Sequence, residues 1–236
     1  MQKKFLPPSR STPAPRNSPR PKMKLAHIGQ AFEPLPRSFY EGSPERVAWE
    51  IIGKVLVSTA GARILAGRIV EAEAYHGADD PAAHAFAGKT LRNAVLFGPP
   101  GFAYVYFIYG MHFCLNVSCE TDGTGGGVLF RALEPLDDFG GHPGAIAQMR
   151  RLRRLADDAP LRLIAAGPGR LCQAFGITRA NTNGLDFTDP ASPLRIVDDG
   201  FHAGEIVATP RIGISKAAER PLRFYLAGST FVSGKR

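Results

Sequence analysis

Tyr104-Val105-Tyr106-Phe107-Ile108-Tyr109-Gly110-Met111-His112-Phe113-Cys114-Leu115-Asn116 is the stretch on which the fold turns. Two runs rich in aromatic and apolar residues meet at Tyr109-Gly110. This predicts an antiparallel hairpin, strands 102–109 and 111–118, with that dipeptide at its tip. Period-two alternation places Tyr104, Tyr106 and Ile108 on one face and Val105, Phe107 and Tyr109 on the other. Upstream, residues 54–58 and 63–75 read as two strands joined around Gly61. The second of them ends in Ile69-Val70-Glu71-Ala72-Glu73-Ala74-Tyr75. Downstream, a strand is expected over 128–133, and shorter ones near 194–197, 205–209 and 222–226. Ser43-Pro44 is a helix start, Ser as cap and Pro in the first turn, with Gly53 as the stop. A basic helix is expected over 145–155, a second after Gly167-Pro168-Gly169 over 170–175, and a turn at 181–184. Residues 76–101 are rich in Gly and Pro and read as loop. Helices and strands mix without a βαβ rhythm or an internal repeat. The expectation is a single compact α+β domain, with a mostly antiparallel sheet, flanking helices and a protruding hairpin.

The chain has 236 residues and a formal net charge of +8. Residues 1–30 hold seven of the 29 Lys and Arg and no acid, so the rest carries 22 basic against 21 acidic side chains. The high pI therefore describes a tail rather than a basic fold. Six prolines in the same segment oppose helix and sheet. Residues 1–33 are expected to form a disordered Pro-rich basic tail, and 34–236 the folded domain. The tail reads equally as a loose contact for a polyanion and as a solubilising extension. Its Arg/Ser content also allows a transit peptide, against which the prolines count. Three cysteines without a CxxC or Cys/His spacing exclude a disulfide framework and a zinc motif. The apolar runs are too short or too broken for a bilayer span.

Chemistry concentrates between residues 69 and 118. By alternation Glu71 and Glu73 share a strand face. Strand pattern alone favours two solvated glutamates, but a shielded carboxylate beside a developing cation positions and deprotonates water. His84 follows in a loop with Asp79 and Asp80, a set with no specific metal spacing. Tyr104 fits simple sheet packing. Tyr109, beside a turn glycine, is expected to stand exposed, where an aromatic wedges between stacked bases. Asn116 offers an amide that can read or reject an exocyclic base group. The arginines at 150, 151, 153 and 154 suit a phosphate-contacting face or a solvated, salt-bridged helix equally.

These residues resemble the alkyladenine (3-methyladenine) DNA glycosylase family, the type without a helix-hairpin-helix. The resemblance runs roughly from Leu35 to Ser233. It rests on Gly67-Arg68-Ile69-Val70-Glu71-Ala72-Glu73-Ala74-Tyr75, Ala82-Ala83-His84, the hairpin quoted above, Arg131-Ala132-Leu133-Glu134-Pro135, Gly167-Pro168-Gly169-Arg170-Leu171-Cys172-Gln173-Ala174 and Pro221-Leu222-Arg223-Phe224-Tyr225. It implies a monofunctional enzyme that flips a damaged purine from duplex DNA and hydrolyses its N-glycosidic bond, initiating base excision repair. By position it implies Glu73 as the general base and Tyr75, His84, Tyr106 and Asn116 as the base pocket. Tyr109 and Met111 match the intercalating tip, and Arg131 and Arg170 match support of the pocket or contact with the DNA backbone. No metal and no organic cofactor belong to this chemistry. The expected partner is damaged duplex DNA, bound by a monomer in a bacterial cytoplasm or, in a eukaryote, a nucleus. His112, Phe107 and the length of loop 85–101 depart from some relatives. A catalytically silent lesion binder is the main rival, and an RNA-binding module a more distant one.

Overall fold

The computed structural model describes residues 33–234. The expected basic tail falls almost wholly outside that span. Eight strands form one antiparallel sheet: β1 (Val55–Ser58), β2 (Leu65–Tyr75), β3 (Ala103–Ile108), β4 (His112–Cys119), β5 (Gly126–Leu136), β6 (Leu194–Val197), β7 (Ile206–Thr209) and β8 (Arg223–Leu226). Their order is β3-β4-β5-β2-β1-β6, with β8 beside β2 and β7 beyond it. The eleven-residue β2 organises the sheet. From Ala66 to Tyr75 it lies against β5, while its first residues pair with β1 and Glu71 to Glu73 pair with β8.

Six helices accompany the sheet: α1 (Arg37–Tyr40), α2 (Pro44–Glu50), α3 (Ala145–Leu152), α4 (Arg162–Ala165), α5 (Pro168–Ala174) and α6 (Arg179–Thr182). The Ser43 hydroxyl accepts the Arg46 N–H at 3.3 Å, capping α2 as its sequence demands. Val47, Ala48, Met149, Leu171 and Cys172 from the helices pack on Ile69, Ala72, Ala74, Val105, Leu115 and Phe130 from the sheet. Each large apolar side chain so buried contributes roughly 1.5–3 kcal/mol. The opposite face of β2, β3, β4 and β5 carries the polar groups considered below.

Strand β2 changes phase in its middle. Leu65 and Ile69 join the helix-packed core, and so do Ala72 and Ala74, an odd set followed by an even one. The register with β5 explains this. Ile69 pairs with Leu133, Glu71 with Ala132, and Ala72 with Phe130, so one residue is left over on each strand, Val70 on β2 and Arg131 on β5. These paired bulges turn Glu71 and Glu73 away from the core that Ile69 faces, since a one-residue shift moves every later side chain to the other face.

Several boundaries differ from expectation. The turn expected at 181–184 begins as helix α6, because Thr178 and Asn181 form a reciprocal capping box. The loop-rich 76–101 contains a 3-10 turn, Ala94–Phe97. Helix α3 stops at Leu152 rather than 155, with Arg154 at a φ of 53°. Its arginines fit neither expected reading in full. Arg150 donates to Ala159 O at 2.7 Å, and Arg153 to Gln173 and to Leu163 O, so two of the four tie the following turn to the helix.

Candidate active site

A cavity of about 410 Å3 opens on the sheet face opposite the apolar core, with Pro168 and Gly169 of α5 at its rim. That volume lies within the usual range for small-molecule sites, about 300–1,000 Å3. Alternation along β3 and β4 supplies one wall, with Tyr104, Tyr106, Ile108, Cys114 and Asn116 all lining it. Tyr104 lies opposite Asn116 and Tyr106 opposite Cys114 in the hairpin register. Asn116 is fixed in its plane, because Nδ2 donates to Tyr104 O at 3.1 Å. His84 meets this wall from the loop. Its Nδ1 is 3.0 Å from the Tyr104 hydroxyl, and its ring stands edge-on to Tyr106 with centroids 4.3 Å apart. Partial burial and the nearby Arg92 charge lower the His84 pKa, which favours the neutral imidazole.

Glu73 sits one layer behind the wall and is fully buried, as is Glu71. The expectation of two solvated glutamates from strand pattern is therefore overturned, because the Arg131 and Arg223 side chains, the Ile212 backbone and Ser233 cover that face. Oε2 of Glu73 accepts the Tyr75 hydroxyl at 2.9 Å and Arg131 Nη1 at 3.2 Å, while Oε1 accepts the Ile212 N–H at 2.7 Å. A carboxylate has about four acceptor positions, so these three donors leave room for one more. Burial pushes the Glu73 carboxyl above the usual carboxylate range, against the pull of Arg131, the Ile212 amide and Tyr75. Burial and the Glu73 charge in turn hold the Tyr75 phenol well above its ordinary value, keeping it an O–H donor.

Arg131 is shared. Its Nε donates to Glu71 Oε1 at 3.0 Å and its Nη2 to Ser233 Oγ at 3.3 Å. Glu71 also accepts Arg223 Nε at 2.6 Å, together with the Ser233 amide and hydroxyl. Two buried carboxylates thus face two buried guanidiniums, and the C-terminal Ser233 closes the cluster.

The hairpin tip projects beside the cavity. Tyr109 and Gly110 have φ values of 54° and 68°, the mirror-image turn whose two central residues are both left-handed. Tyr109 is 77% exposed and Met111 70%. Arg170 is exposed one residue beyond Gly169 at the rim, with Nη1 on Ala166 O at 3.3 Å, and does not line the cavity. A Cβ at 169 would stand 3.0 Å from His112 Cγ, so a larger residue there would press on the exposed His112 ring. The structure therefore brings Glu73, Tyr75, His84, Tyr106, Asn116 and Arg131 together around one cavity, sets Tyr109 and Met111 at its mouth, and leaves Arg170 at the edge. Among the described residues, no three His, Cys, Asp or Glu side chains group closely enough to hold a metal ion, and no helix is long and apolar enough to cross a membrane.

Residues 38–230 match the model of the family described as methylpurine-DNA glycosylase. The chain belongs to this family. Among its relatives, a Koribacter versatilis (strain Ellin345) protein is 58% identical over 216 residues, covering 92% of this chain and 99% of that one. A Rhodopseudomonas palustris (strain BisB18) protein is 50% identical over 199 residues, 84% and 90% of the two chains. One from Burkholderia lata is 45% identical over 201 residues, 85% and 91%. All three bear the name "Putative 3-methyladenine DNA glycosylase".

In this methylpurine-DNA glycosylase family member, several site residues escape a reading of the sequence. Tyr104 does more than pack, since its hydroxyl meets His84. Asp80, read as a weak metal candidate, instead forms a fully buried ion pair with Arg211. Arg211 Nη2 donates to Asp80 Oδ1 at 2.8 Å, Nη1 to Ala74 O at 2.9 Å, and the guanidinium lies 4.5 Å from the centre of the Tyr75 ring. Asp80 also accepts the Ala82 N–H at 3.2 Å, two residues on, which begins the turn leading to His84. An Asp followed by Pro is a turn signal, so that half of the pair is readable in advance. Arg211, Ile212 and Ser233 come from segments with no local signal for the site.

Proposed function

We propose that this protein is a monofunctional DNA glycosylase, which takes an alkylated purine such as 3-methyladenine out of duplex DNA and hydrolyses its N-glycosidic bond with a carboxylate-activated water. The observation that carries the reading is a fully buried carboxylate, Glu73, directly behind an aromatic-walled cavity at the foot of a hairpin exposing Tyr109. Tyr75, His84 and Tyr106 hold the extruded base, whose positive charge favours aromatic faces. Such a base leaves without much protonation, so a single carboxylate suffices where most glycosidases need two. Glu73 takes water on its remaining acceptor position, accepts its proton, and stabilises the cationic sugar. Arg131 fixes the carboxylate without neutralising it alone, because Glu71 shares the guanidinium. The Asn116 amide borders the base and disfavours normal guanine. Arg170 meets the DNA backbone.

Base extrusion costs a few kcal/mol, least for a damaged base. Tyr109 and Met111 offset that cost by filling the gap in the stack. The test is release of free base from methylated duplex DNA. A glycosylase yields free base and an intact abasic strand, whereas tight lesion binding without release identifies a silent binder.

The tip residue carries a cost to the fold. A non-glycine residue in the left-handed region is unfavourable by roughly 1–2 kcal/mol, and Tyr109 gains little packing in return. Asn-Gly is the favoured pair for this turn. Tyr109→Asn is therefore expected to stabilise the protein by about 1 kcal/mol in urea unfolding while lowering base release at least tenfold. A variant that loses stability removes the strain argument, and one with full activity removes the wedge.

A further inference from the structure

Exposed apolar surface is unevenly spread over the described residues. Of the eight large hydrophobic side chains that stand exposed, five lie on the hairpin or on the loop that follows His84: Phe86, Leu91, Phe107, Tyr109 and Met111. Leu91 is the extreme, 99% exposed. A single exposed leucine is ordinary on a protein surface, but this one is presented by a built loop. Asn93, itself buried, donates from Nδ2 to His84 O at 2.9 Å and to Gly88 O at 3.0 Å. Its Oδ1 accepts the Thr90 N–H at 2.6 Å and the Thr90 hydroxyl at 2.9 Å. The tip is thus knitted to the residue that carries the cavity's histidine. Arg92, next to Leu91, reaches Phe107 O at 3.4 Å and so lays the loop along strand β3 of the hairpin. Lys89 and Arg92, both exposed, put two cations on either side of the leucine, with no acid between residues 81 and 119.

We propose that residues 86–92 form a second DNA-contacting finger, in which Leu91 packs against the sugars of the minor groove beside the hairpin while Lys89 and Arg92 meet the flanking phosphates. This rests on the DNA reading above and extends its contact surface beyond the wedge. An apolar tip between cations suits a polyanion with a groove lined by deoxyribose, where leucine is among the side chains that DNA-bending proteins insert. A second copy of this chain is disfavoured as occupant, since its matching loop would bring like charges together.

The experiment measures affinity for a duplex containing a stable abasic-site analogue, at fixed salt for wild type, Leu91→Ala and Leu161→Ala, and across a salt series for wild type and Lys89→Gln, with thermal unfolding read alongside. Leu161 is an exposed leucine outside both elements. Leu91→Ala is expected to weaken binding roughly tenfold at unchanged stability, and Leu161→Ala less than twofold. Lys89→Gln is expected to reduce the slope of log affinity against log salt by about one. Leu91→Ala binding within twofold of wild type, or no tighter-than-control loss relative to Leu161→Ala, overturns the finger. Free-base release by wild type is assayed in parallel. Its failure counts against the glycosylase reading, whereas release with unaffected Leu91→Ala binding counts against the finger alone.

Discussion

Glu73→Gln is expected to lower single-turnover base release by about 10³-fold while leaving damaged-duplex affinity within a few-fold of wild type. Glutamine keeps the size of the side chain but cannot take a proton from water or balance a cationic sugar. The remaining donors adapt. The Ile212 N–H still finds an amide oxygen, the Tyr75 hydroxyl can turn and accept, and Arg131 keeps Glu71 and Ser233. The fold is thus expected to survive, with thermal unfolding shifted by no more than a few degrees. The pH dependence follows from the same burial. Because burial raises the Glu73 pKa, the rate is expected to fall on the acid side at a pH above the ordinary carboxylate range, as the base is protonated. A folded pKa above the unfolded one means that the group favours folding in its protonated form, below the unfolded pKa. That contribution is lost as the pH rises through the folded pKa, so at neutral pH the ionised side chain is held against the preference of its site. Removing its charge relieves that opposition at pH 7. A folded Gln variant that releases base within tenfold of wild type would sink the assigned mechanism.

Arg211→Met is expected to destabilise the protein by about 3–5 kcal/mol, the loss typical when one partner of a buried ion pair is removed. For a domain of this size that corresponds to a drop in Tm of roughly 6–20 °C. Asp80 would keep only backbone donors, the N–H groups of His76 and Ala82, around a carboxylate without side-chain exposure. Burial alone would raise the Asp80 pKa, but the guanidinium and these amides outweigh it and hold the pKa below its usual value. In wild type the pair therefore stabilises the fold above the unfolded Asp pKa, and the contribution disappears as pH falls through the folded one. Adding Asp80→Asn to Arg211→Met removes the stranded charge while keeping an acceptor for one of the two amides, that of Ala82. The double variant is expected to recover at least half of the lost stability in calorimetry. Equal stability of the single variant and wild type would show that the pair contributes nothing net. The double variant is also expected to weaken lesion binding, because Tyr75 loses the cation that backs its ring.

Much of this molecule is legible before any coordinates. The hairpin, the long strand ending at Tyr75 and the capped helix α2 follow from alternation and turn chemistry, which are local. Part of the cavity lining, Tyr75, His84, Tyr106 and Asn116, is legible because those residues cluster within fifty positions of the chain. What escapes is long-range. Nothing near Ile212 announces that its amide, 139 positions from Glu73, holds the carboxylate. Nothing near Ser233 announces that the chain returns to Glu71, 162 positions away. The burial of Glu71 and Glu73 escapes for the same reason, since an alternating strand looks equally well suited to a face in water. The helix expected to continue to residue 155 fails locally, where Arg150 and Arg153 tie down the next turn rather than facing solvent.

The paired bulges have a consequence for how this gene can change. Between Gly67 and Glu73 the two carboxylates are constrained in identity, and the apolar positions around them in spacing as well. Exchanging one small apolar residue for another there leaves each half of the strand facing its own side. Losing the single codon for Val70 would leave plain alternation to set Ile69 and the two carboxylates on opposite faces, but the Arg131 bulge on β5 would then stand without its counterpart. A change of length in either strand therefore calls for an answering change in the other.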